Sequence, residues 1–417
     1  MSDSVEMSAT SSVPSGGPRV RVAFIDHCAR LSGAELALLR LAPALREVEP
    51  LVVLGEDGPL RPRLEAAGVE VVVLPLTTRT ASLRRDRVGR RLPLLAVVDV
   101  LSYAWRLRRL LRRRGIAVVQ TNSLKACIYG GLAGRLAGVP VVWHARDRYH
   151  EDYLPRAAVR LVRLAARVLP TVVVANSRST LATLAPHPRR QLRMVLYNPL
   201  DAPSYEVGKQ RLDAQADGGS RAARLVIGLV GRISPWKGHD VFLRAFADAF
   251  RDADAGLVQA RVVGAALFGE EAYADSLRQL CAELRIDDRV EWRGFRDDVT
   301  AELAELDVLV HCSTTPEPFG QVVVEGMAAA LPVVSTDVGG PAEVIDDGRT
   351  GVLVRPGDPH ALATVLRRLA DDPAERRRLG RAAHEAAMAY RDVTVASSFD
   401  AVFRDLGGVH DHPAPAR

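Results

Sequence analysis

The sequence predicts an α/β protein built from two doubly wound parallel sheets. Two observations support this fold class. From Arg19 onward, short runs rich in β-branched residues alternate with helical patterns, which is typical of a parallel sheet covered by helices on both faces. The alternation breaks once, at 201–222, and resumes at Arg224. The 417 residues, 48% of them hydrophobic, are enough for two buried cores.

The first domain is predicted to span 19–200. Residues 1–18 are rich in Ser, Gly and Pro and lack an apolar signal-peptide core, so we expect a disordered tail. Amphipathic segments at 36–47 and 126–137 are predicted to be helices. Seven β-branched runs are predicted to be strands: 20–25, 51–54, 69–74, 117–121, 140–143, 171–175 and 193–197.

The second domain is predicted to span 223–390. Residues 201–222 are polar, contain Gly218-Gly219 and show no apolar periodicity, so we interpret them as the interdomain linker. A helix at 391–406 is expected to pack back on the first domain, and 407–417 to be a tail. Six strands are predicted: 225–230, 259–263, 290–292, 308–311, 333–335 and 351–354.

Composition narrows the class of protein. The net charge is +6, but only three of the 56 basic residues are lysines, a bias that indicates genome composition more than a nucleic-acid partner. The four cysteines lack metal-binding spacing and are expected to be reduced thiols in a cytosolic protein: Cys28, Cys127, Cys281 and Cys312. The longest apolar run, 92–105, is too short to span a bilayer. Asp252-Ala253-Asp254 is interpreted as a loop and not a metal site.

The most informative stretch is 312–343. It holds Glu317 between two prolines, then Phe319-Gly320, then a predicted helix at 321–330 that carries Glu325 in its second turn. Ionised carboxylates accept the hydroxyls of a diol, and the N–H groups at the start of a helix receive anionic oxygens. The alternative is that Glu317 and Glu325 are ordinary surface acids around a core helix.

A second stretch, 231–240, lies between the first strand and the first helix of the second domain, where phosphates bind in α/β sheets. Arg232 offers a planar fork of donors and Lys237 a compact charge, which together suit a diphosphate. A lysine in an arginine-biased chain suggests that the ammonium itself is needed. The alternative is a solvated basic loop.

Two features of the first domain are weaker signals. Gly33 follows the first strand in Leu31-Ser32-Gly33, but this is not a GxGxxG motif and poorly supports a nicotinamide-type site. His144 stands at the carboxyl end of a strand, where a side chain would point into a cleft. A structural hydrogen-bonding role is the alternative for His144.

The region 84–114 is basic and amphipathic, with arginines around Tyr103 and Trp105. It is compatible with attraction to an anionic lipid surface. The alternative, which we favour, is a solvated helix face in an arginine-rich chain.

Taken together, Gly231-Arg232 with Lys237-Gly238, and Glu317 with Glu325 eight residues on, resemble the motifs of the retaining glycosyltransferases of family 4. The resemblance covers about residues 20–400 and is most specific over 226–240 and 312–357. It implies the GT-B fold, two Rossmann-like domains facing a central cleft. One departure is Ser32, where the family often has a second glycine.

The resemblance also implies residue roles. Arg232 and Lys237 would grip the diphosphate of a nucleotide sugar, Glu325 the ribose, and Glu317 the transferred sugar. The catalytic set would be Arg232, Lys237, Glu317 and His144. The donor-binding set would be Gly33, Gly231, Arg232, Lys237, Gly294, Phe295, Glu317, Phe319, Gly320 and Glu325.

The expected activity is therefore a retaining, metal-independent hexosyl transfer. The donor would be UDP- or GDP-linked, and the acceptor a glycan, a lipid-linked sugar or a small molecule. No cofactor and no nucleic acid are expected. The protein would be cytoplasmic, with possible peripheral contact at the inner membrane face through 84–114. A catalytically silent binding subunit and a nucleotide-sugar epimerase of the same fold are the alternatives.

Overall fold

The computed structural model describes residues 19–76, 94–151, 154–184, 191–217, 224–251, 256–267 and 269–408. Five predictions fall wholly or partly outside these ranges and stay untested there. They are the tail 1–18, the first ten residues of the 84–114 region, residues 218–222 of the linker, the loop 252–254, and residues 409–417 of the tail predicted at 407–417.

The first half forms a seven-stranded parallel sheet in the order β3-β2-β1-β4-β5-β6-β7. Its strands are β1 (Val20–Asp26), β2 (Val48–Leu54), β3 (Glu70–Val73), β4 (Val118–Thr121), β5 (Val141–Ala145), β6 (Val172–Ala175) and β7 (Leu192–Val195). The strand order reverses between β1 and β4. In open parallel sheets, ligands bind outside the carboxyl ends of the strands at such a reversal.

The helices of this half are α1 (Gly33–Leu41), α2 (Leu60–Ala66), α3 (Leu94–Arg113), α4 (Leu124–Ala137), α5 (Arg156–Val168) and α6 (Arg178–Ala182). The helix predicted at 36–47 is shifted toward the N-terminus. It ends at Leu41, where a 3-10 turn at Ala42–Ala44 contains Pro43. Proline lacks the N–H that would continue the helix, and β2 then begins at Val48.

The second half repeats the plan with a six-stranded parallel sheet in the order β10-β9-β8-β11-β12-β13. Its strands are β8 (Leu225–Val230), β9 (Val258–Val263), β10 (Val290–Gly294), β11 (Val308–His311), β12 (Val333–Thr336) and β13 (Val352–Val354). Each of the thirteen strands overlaps a predicted run, and the predicted fold class of two Rossmann-like sheets is confirmed.

The helices that follow residue 200 are α7 (Ala202–Ala216), α8 (His239–Ala249), α9 (Glu271–Leu284), α10 (Val299–Ala304), α11 (Gln321–Ala328), α12 (Pro341–Val344), α13 (Pro359–Asp371), α14 (Pro373–Ala387) and α15 (Asp392–Gly407). The predicted helix at 321–330 thus ends two residues early, at Ala328.

Helix α7 lies inside 201–222, the segment assigned to a linker because it showed no periodicity. The absence of periodicity did not mean an absence of helix. Gly208 lets α7 approach the second half so closely that a Cβ there would lie 2.0 Å from the Ala328 carbonyl oxygen. Arg211 donates to the carbonyls of Ala329 and Leu306. Helix α7 therefore docks through a glycine and a hydrogen-bonded arginine, which an apolar pattern does not reveal.

The last helix, α15, returns to the first sheet. Phe399 and Phe403 are fully buried there, and the Phe403 ring meets Phe24 of β1 edge-on at 5.7 Å between centroids. Where the chain crosses back, Leu200 pairs with the segment that leads into α15. Its N–H donates to the Tyr390 carbonyl, and its carbonyl accepts from the Asp392 N–H, both at 2.8 Å. The two crossings between the halves therefore run side by side.

Candidate active site

The loop after β8 and the loop after β11 meet at the carboxyl edge of the second sheet. The Thr314 N–H donates to the Trp236 carbonyl at 2.8 Å. Gly238 has a φ of +71°, and a Cβ there would lie 2.1 Å from the Cys312 carbonyl oxygen. Only glycine permits this approach. The sequence stretches 231–240 and 312–343 are thus held against each other.

Lys237 and Glu317 form an ion pair at this junction. Three donors converge on Glu317 Oε1: the Lys237 ammonium, the Ser313 hydroxyl at 2.7 Å and His311 Nε2 at 3.1 Å. His311 is positioned in turn by Ser335, whose hydroxyl lies 3.0 Å from Nδ1. Among the described residues, no hydrogen bond reaches Oε2, so that oxygen has lone pairs for an external hydroxyl.

The surroundings of Glu317 keep it ionised. The side chain is only 8% exposed. Burial alone would raise the pKa of this carboxyl, but the charge of Lys237, and then that of His311, holds the pKa well below its ordinary value. A carboxylate with so low a pKa stays ionised and accepts hydrogen bonds, but it is a weak base and a weak nucleophile.

The backbone of Glu317 is fixed from the other side by the glycine loop. The Gly340 N–H donates to the Glu317 carbonyl at 2.8 Å. Gly339 has a φ of +75°, and a Cβ there would lie 2.5 Å from the same oxygen. Phe319 is buried, with its ring 5.9 Å from that of Tyr197, and Gly320 forms the N-cap of α11. The N–H groups at this helix start are thereby set close to Glu317.

Arg232 and Lys237 lie on one short loop and share an indole. The Lys237 ammonium is 4.7 Å from the Trp236 ring centroid, and the Arg232 guanidinium is 5.9 Å from it. A Cβ on Gly231 would lie 3.9 Å from Lys237 Nζ. Gly231, Arg232 and Lys237 are therefore neighbours in space, which suits a diphosphate.

Glu325 lies in a different environment from Glu317. Its carboxylate faces Arg40 of α1, with 2.9 Å between Oε1 and Nη1, and Arg40 Nε lies 3.2 Å from Asp201 Oδ1. Burial raises the pKa of Glu325, and Arg40 offsets part of that effect. The second predicted carboxylate is thus joined to the first half of the chain.

The remaining predicted donor-binding residues belong to other elements, Gly33 to the first half and Gly294 and Phe295 to the second. Gly33 opens α1 beside open space, since a Cβ there meets nothing within 4 Å. Gly294 ends β10 with a φ of +67°, and the Phe295 side chain after it is 60% exposed.

The sequence predicted that the His144 side chain points into an open cleft, but in the structure this side chain is buried. It is 1% exposed, with its ring 5.4 Å from Phe399 of α15 and Gln120 Nε2 3.4 Å from Nδ1. The reason is that α15 returns over this face of the sheet. Its Nε2 is buried with no hydrogen-bond partner among the described residues. Burial, followed by the charge of Arg146, lowers the pKa of His144 well below its ordinary value. A direct catalytic role for His144 stays a prediction.

Another polar cluster lies at the same edge of the first sheet. Ligand atoms of Asp26, His27 and Cys28 all lie within 4.8 Å of one another. Asp26 accepts from Asn122 at 2.6 Å, and His27 Nδ1 lies 2.8 Å from the Ser123 hydroxyl. The buried Asp26 carboxylate is therefore hydrogen-bonded within the protein.

Three residues at the junction were not singled out from the sequence. His311 and Ser313 stand at and just after the carboxyl end of β11, so the strand-end rule applied to this strand would have found them. Arg40 carried no such signal, because its partners are distant in the chain.

Two facing Rossmann-like halves define the GT-B class of proteins, and this chain has that architecture. A family model described as Glycosyltransferase Family 4 matches residues 60–202, and one described as Glycosyl transferases group 1 matches residues 211–386. Together the two models match most of the chain, which therefore belongs to the family 4, or group 1, glycosyltransferases, as its motifs predicted.

Individual relatives agree with the family. The chain is 39% identical to a D-inositol 3-phosphate glycosyltransferase of Streptomyces avermitilis. The matched stretch covers 43% of this chain and 41% of that relative. A protein of the same name from Kineococcus radiotolerans is 35% identical over 61% of this chain and 56% of its own length. The chain thus spans about half the length of the curated relatives it matches.

Among solved structures, Anabaena Alr3699/HepE in complex with UDP-glucose superposes with a TM-score of 0.76 and 27% identity. The match covers 93% of this chain and 100% of that one.

Proposed function

We propose that the protein is a retaining glycosyltransferase that moves a hexose from a nucleoside diphosphate sugar to an acceptor hydroxyl. The observation that carries the proposal is the contact between Lys237 and Glu317. It joins a cationic loop suited to a diphosphate and a buried carboxylate suited to sugar hydroxyls.

The donor would lie along the carboxyl edge of the second sheet. Arg232 and Lys237 would hold the diphosphate, and the Phe319 and Gly320 N–H groups would contact the sugar. Glu325 would accept the ribose hydroxyls, and Gly294-Phe295 would flank the base. The UDP-glucose complex of the Anabaena neighbour favours a uridine donor, and a guanosine donor is the alternative.

In the proposed reaction, the bond between the anomeric carbon and the diphosphate oxygen breaks while the acceptor oxygen bonds to the same face of that carbon. Arg232 and Lys237 stabilise the negative charge that grows on the leaving diphosphate. The acceptor proton passes to a leaving phosphate oxygen. Two fixed cations make a divalent metal unnecessary, and the low pKa of Glu317 argues against its use as a nucleophile.

Binding of nucleotides is the first test of this function. A ligand that binds only the native state raises the melting temperature, so we expect UDP or UDP-glucose to do so in a panel that includes GDP, ADP and their sugars. We also expect slow donor hydrolysis that persists with a chelator present.

Each contrary outcome is informative. A shift without donor hydrolysis or transfer would indicate a silent binding subunit, and a changed sugar on an intact nucleotide would indicate an epimerase. No shift with any nucleotide would reject the proposal.

The sequence alone favoured a solvated helix face for 84–114, but the exposed apolar side chains of the folded protein favour a lipid contact. We therefore also propose peripheral contact with an anionic membrane, on the cytoplasmic side. Helices α3, α4 and α5 line one face of the first sheet. On their outer surface Val98 is 59% exposed, Trp105 46%, Leu164 58% and Val168 59%. The Arg108 guanidinium lies 4.6 Å from the Trp105 ring. Apolar side chains beside arginines suit a lipid headgroup layer. Among the described helices, none is both long and apolar enough to cross a bilayer.

Vesicle flotation tests the membrane contact. Vesicles containing phosphatidylglycerol should carry the protein, whereas pure phosphatidylcholine should not. Replacing Trp105 and Leu164 together with Glu should abolish flotation, whereas Leu257→Glu, at a 52% exposed position on the second half, should not. Equal flotation of both variants would contradict a specific contact through α3 and α5.

A further inference from the structure

Arg40 joins the two halves of the molecule at the candidate donor site. It stands in the last turn of α1, in the first half, and its side chain is 13% exposed. Its guanidinium reaches Glu325 on α11 of the second half at 2.9 Å and Asp201, just before α7, at 3.2 Å. No step of the proposed reaction uses this residue.

The charges around Glu325 explain why an arginine is needed there. The Glu325 side chain is 9% exposed, and a buried carboxylate without a partner costs several kcal/mol or takes up a proton. Asp201 adds a second negative charge nearby. Arg40 is the cation that both carboxylates contact.

The ionisation state of Glu325 decides what it can bind. An ionised carboxylate accepts hydrogen bonds from both hydroxyls of a diol, whereas a protonated one presents a donor and loses part of its accepting capacity. Arg40 Nη1 lies 2.9 Å from Oε1. Its charge favours the ionised form of Glu325, and an ionised carboxylate has lone pairs beyond the one that faces Arg40.

We propose that Arg40 is a positioning residue that completes the ribose subsite from the opposite half of the molecule. The nucleotide diol is then bound tightly only when the two halves are closed. This inference rests on the proposed function and on Glu325 as the group that accepts the ribose hydroxyls.

The closed arrangement has further contacts across the halves. Glu343 of the second half accepts from the Arg178 N–H at 2.8 Å in the first half, and also from the Ser179 N–H. Asn198 donates to Gln321 at the start of α11 at 3.2 Å. The Arg40 contact differs from these contacts because its partner, Glu325, is the residue proposed to bind the ribose.

A ligand-and-variant cycle tests the proposal. Affinities for UDP and for 2′,3′-dideoxy-UDP are measured by calorimetry with the wild type, Arg40→Gln and Arg40→Lys. If UDP does not bind, the matching guanosine pair replaces it. The Gln variant keeps most of the aliphatic stem, and its melting temperature reports on folding. Arg404→Gln is the matched control, because Arg404 pairs with Glu47 at 2.9 Å away from α11.

We expect Arg40→Gln to weaken UDP about tenfold, the size of one charge-assisted interaction, and to weaken the dideoxy analogue less than about twofold. Arg40→Lys should restore most of the affinity, and Arg404→Gln should change nothing. Equal losses for both ligands, or no loss for UDP, overturn the role of Arg40 and leave the proposed function standing. A wild-type protein that binds neither nucleotide overturns both.

Discussion

Replacing Lys237 with Ala should lower the turnover of sugar transfer by roughly a hundredfold to a thousandfold, the usual effect of removing one preorganised charge from a reacting group. The ammonium contacts Glu317 and lies beside Gly231 and Arg232. Its removal takes away a charge from the leaving diphosphate and the main counter-charge of a buried carboxylate. Steady-state transfer assays should show the loss mainly in kcat.

The matched control is Lys209→Ala, which removes an exposed lysine on α7 and should leave transfer unchanged. The Lys237→Ala protein should remain folded, because Ser313 and His311 still contact Glu317. Near-normal transfer by a folded Lys237→Ala protein would remove Lys237 from the mechanism.

The Lys237 change should also alter the dependence on pH. In the wild type the pKa of Glu317 is held well below its ordinary value. The stability gained from this pairing is present above the unfolded-state pKa and is lost as pH falls through the folded-state pKa. Without Lys237, that pKa should rise. Residual activity and stability should then decline at a higher pH on the acid side than in the wild type.

Local pattern was enough to predict the fold class. Most strands are short β-branched runs, such as 225–230 or 308–311, because buried parallel strands are apolar throughout. The resemblance to the family 4 motifs implied that Lys237 and Glu317 share a site. Sheet geometry is consistent with this, since both residues follow strands of one sheet and parallel strands bring their carboxyl ends to one edge. Their direct contact agrees with that reasoning.

Features that depend on tertiary contacts could not be predicted from local sequence pattern. Helix α7 docks through Gly208 and Arg211, so it carries no apolar stripe. His144 obeys the strand-end rule, but α15 comes from the far end of the chain to cover it. Arg40 meets Glu325 only because α1 of one half approaches α11 of the other. Each of these depends on a distant segment whose path the local sequence does not encode.

Glu317→Gln should reduce transfer by about a hundredfold or more, because the amide keeps the shape of the side chain and removes its charge. Three donors that now converge on Oε1 would compete for a neutral oxygen, and the Lys237 ammonium would lose its partner. Binding of UDP, which does not carry the sugar, should change far less than kcat for transfer. A parallel loss in both would indicate a structural role for Glu317.

The Glu317→Ala variant separates an accepting role from a nucleophilic one. If Glu317 attacked the anomeric carbon, azide should enter the vacated space and give a glycosyl azide of inverted configuration. We expect no azide product and no recovery of rate, because a carboxylate with three donors on one oxygen and a pKa well below its ordinary value is a poor nucleophile. Detection of that azide by mass spectrometry would replace the same-face mechanism with a two-step one.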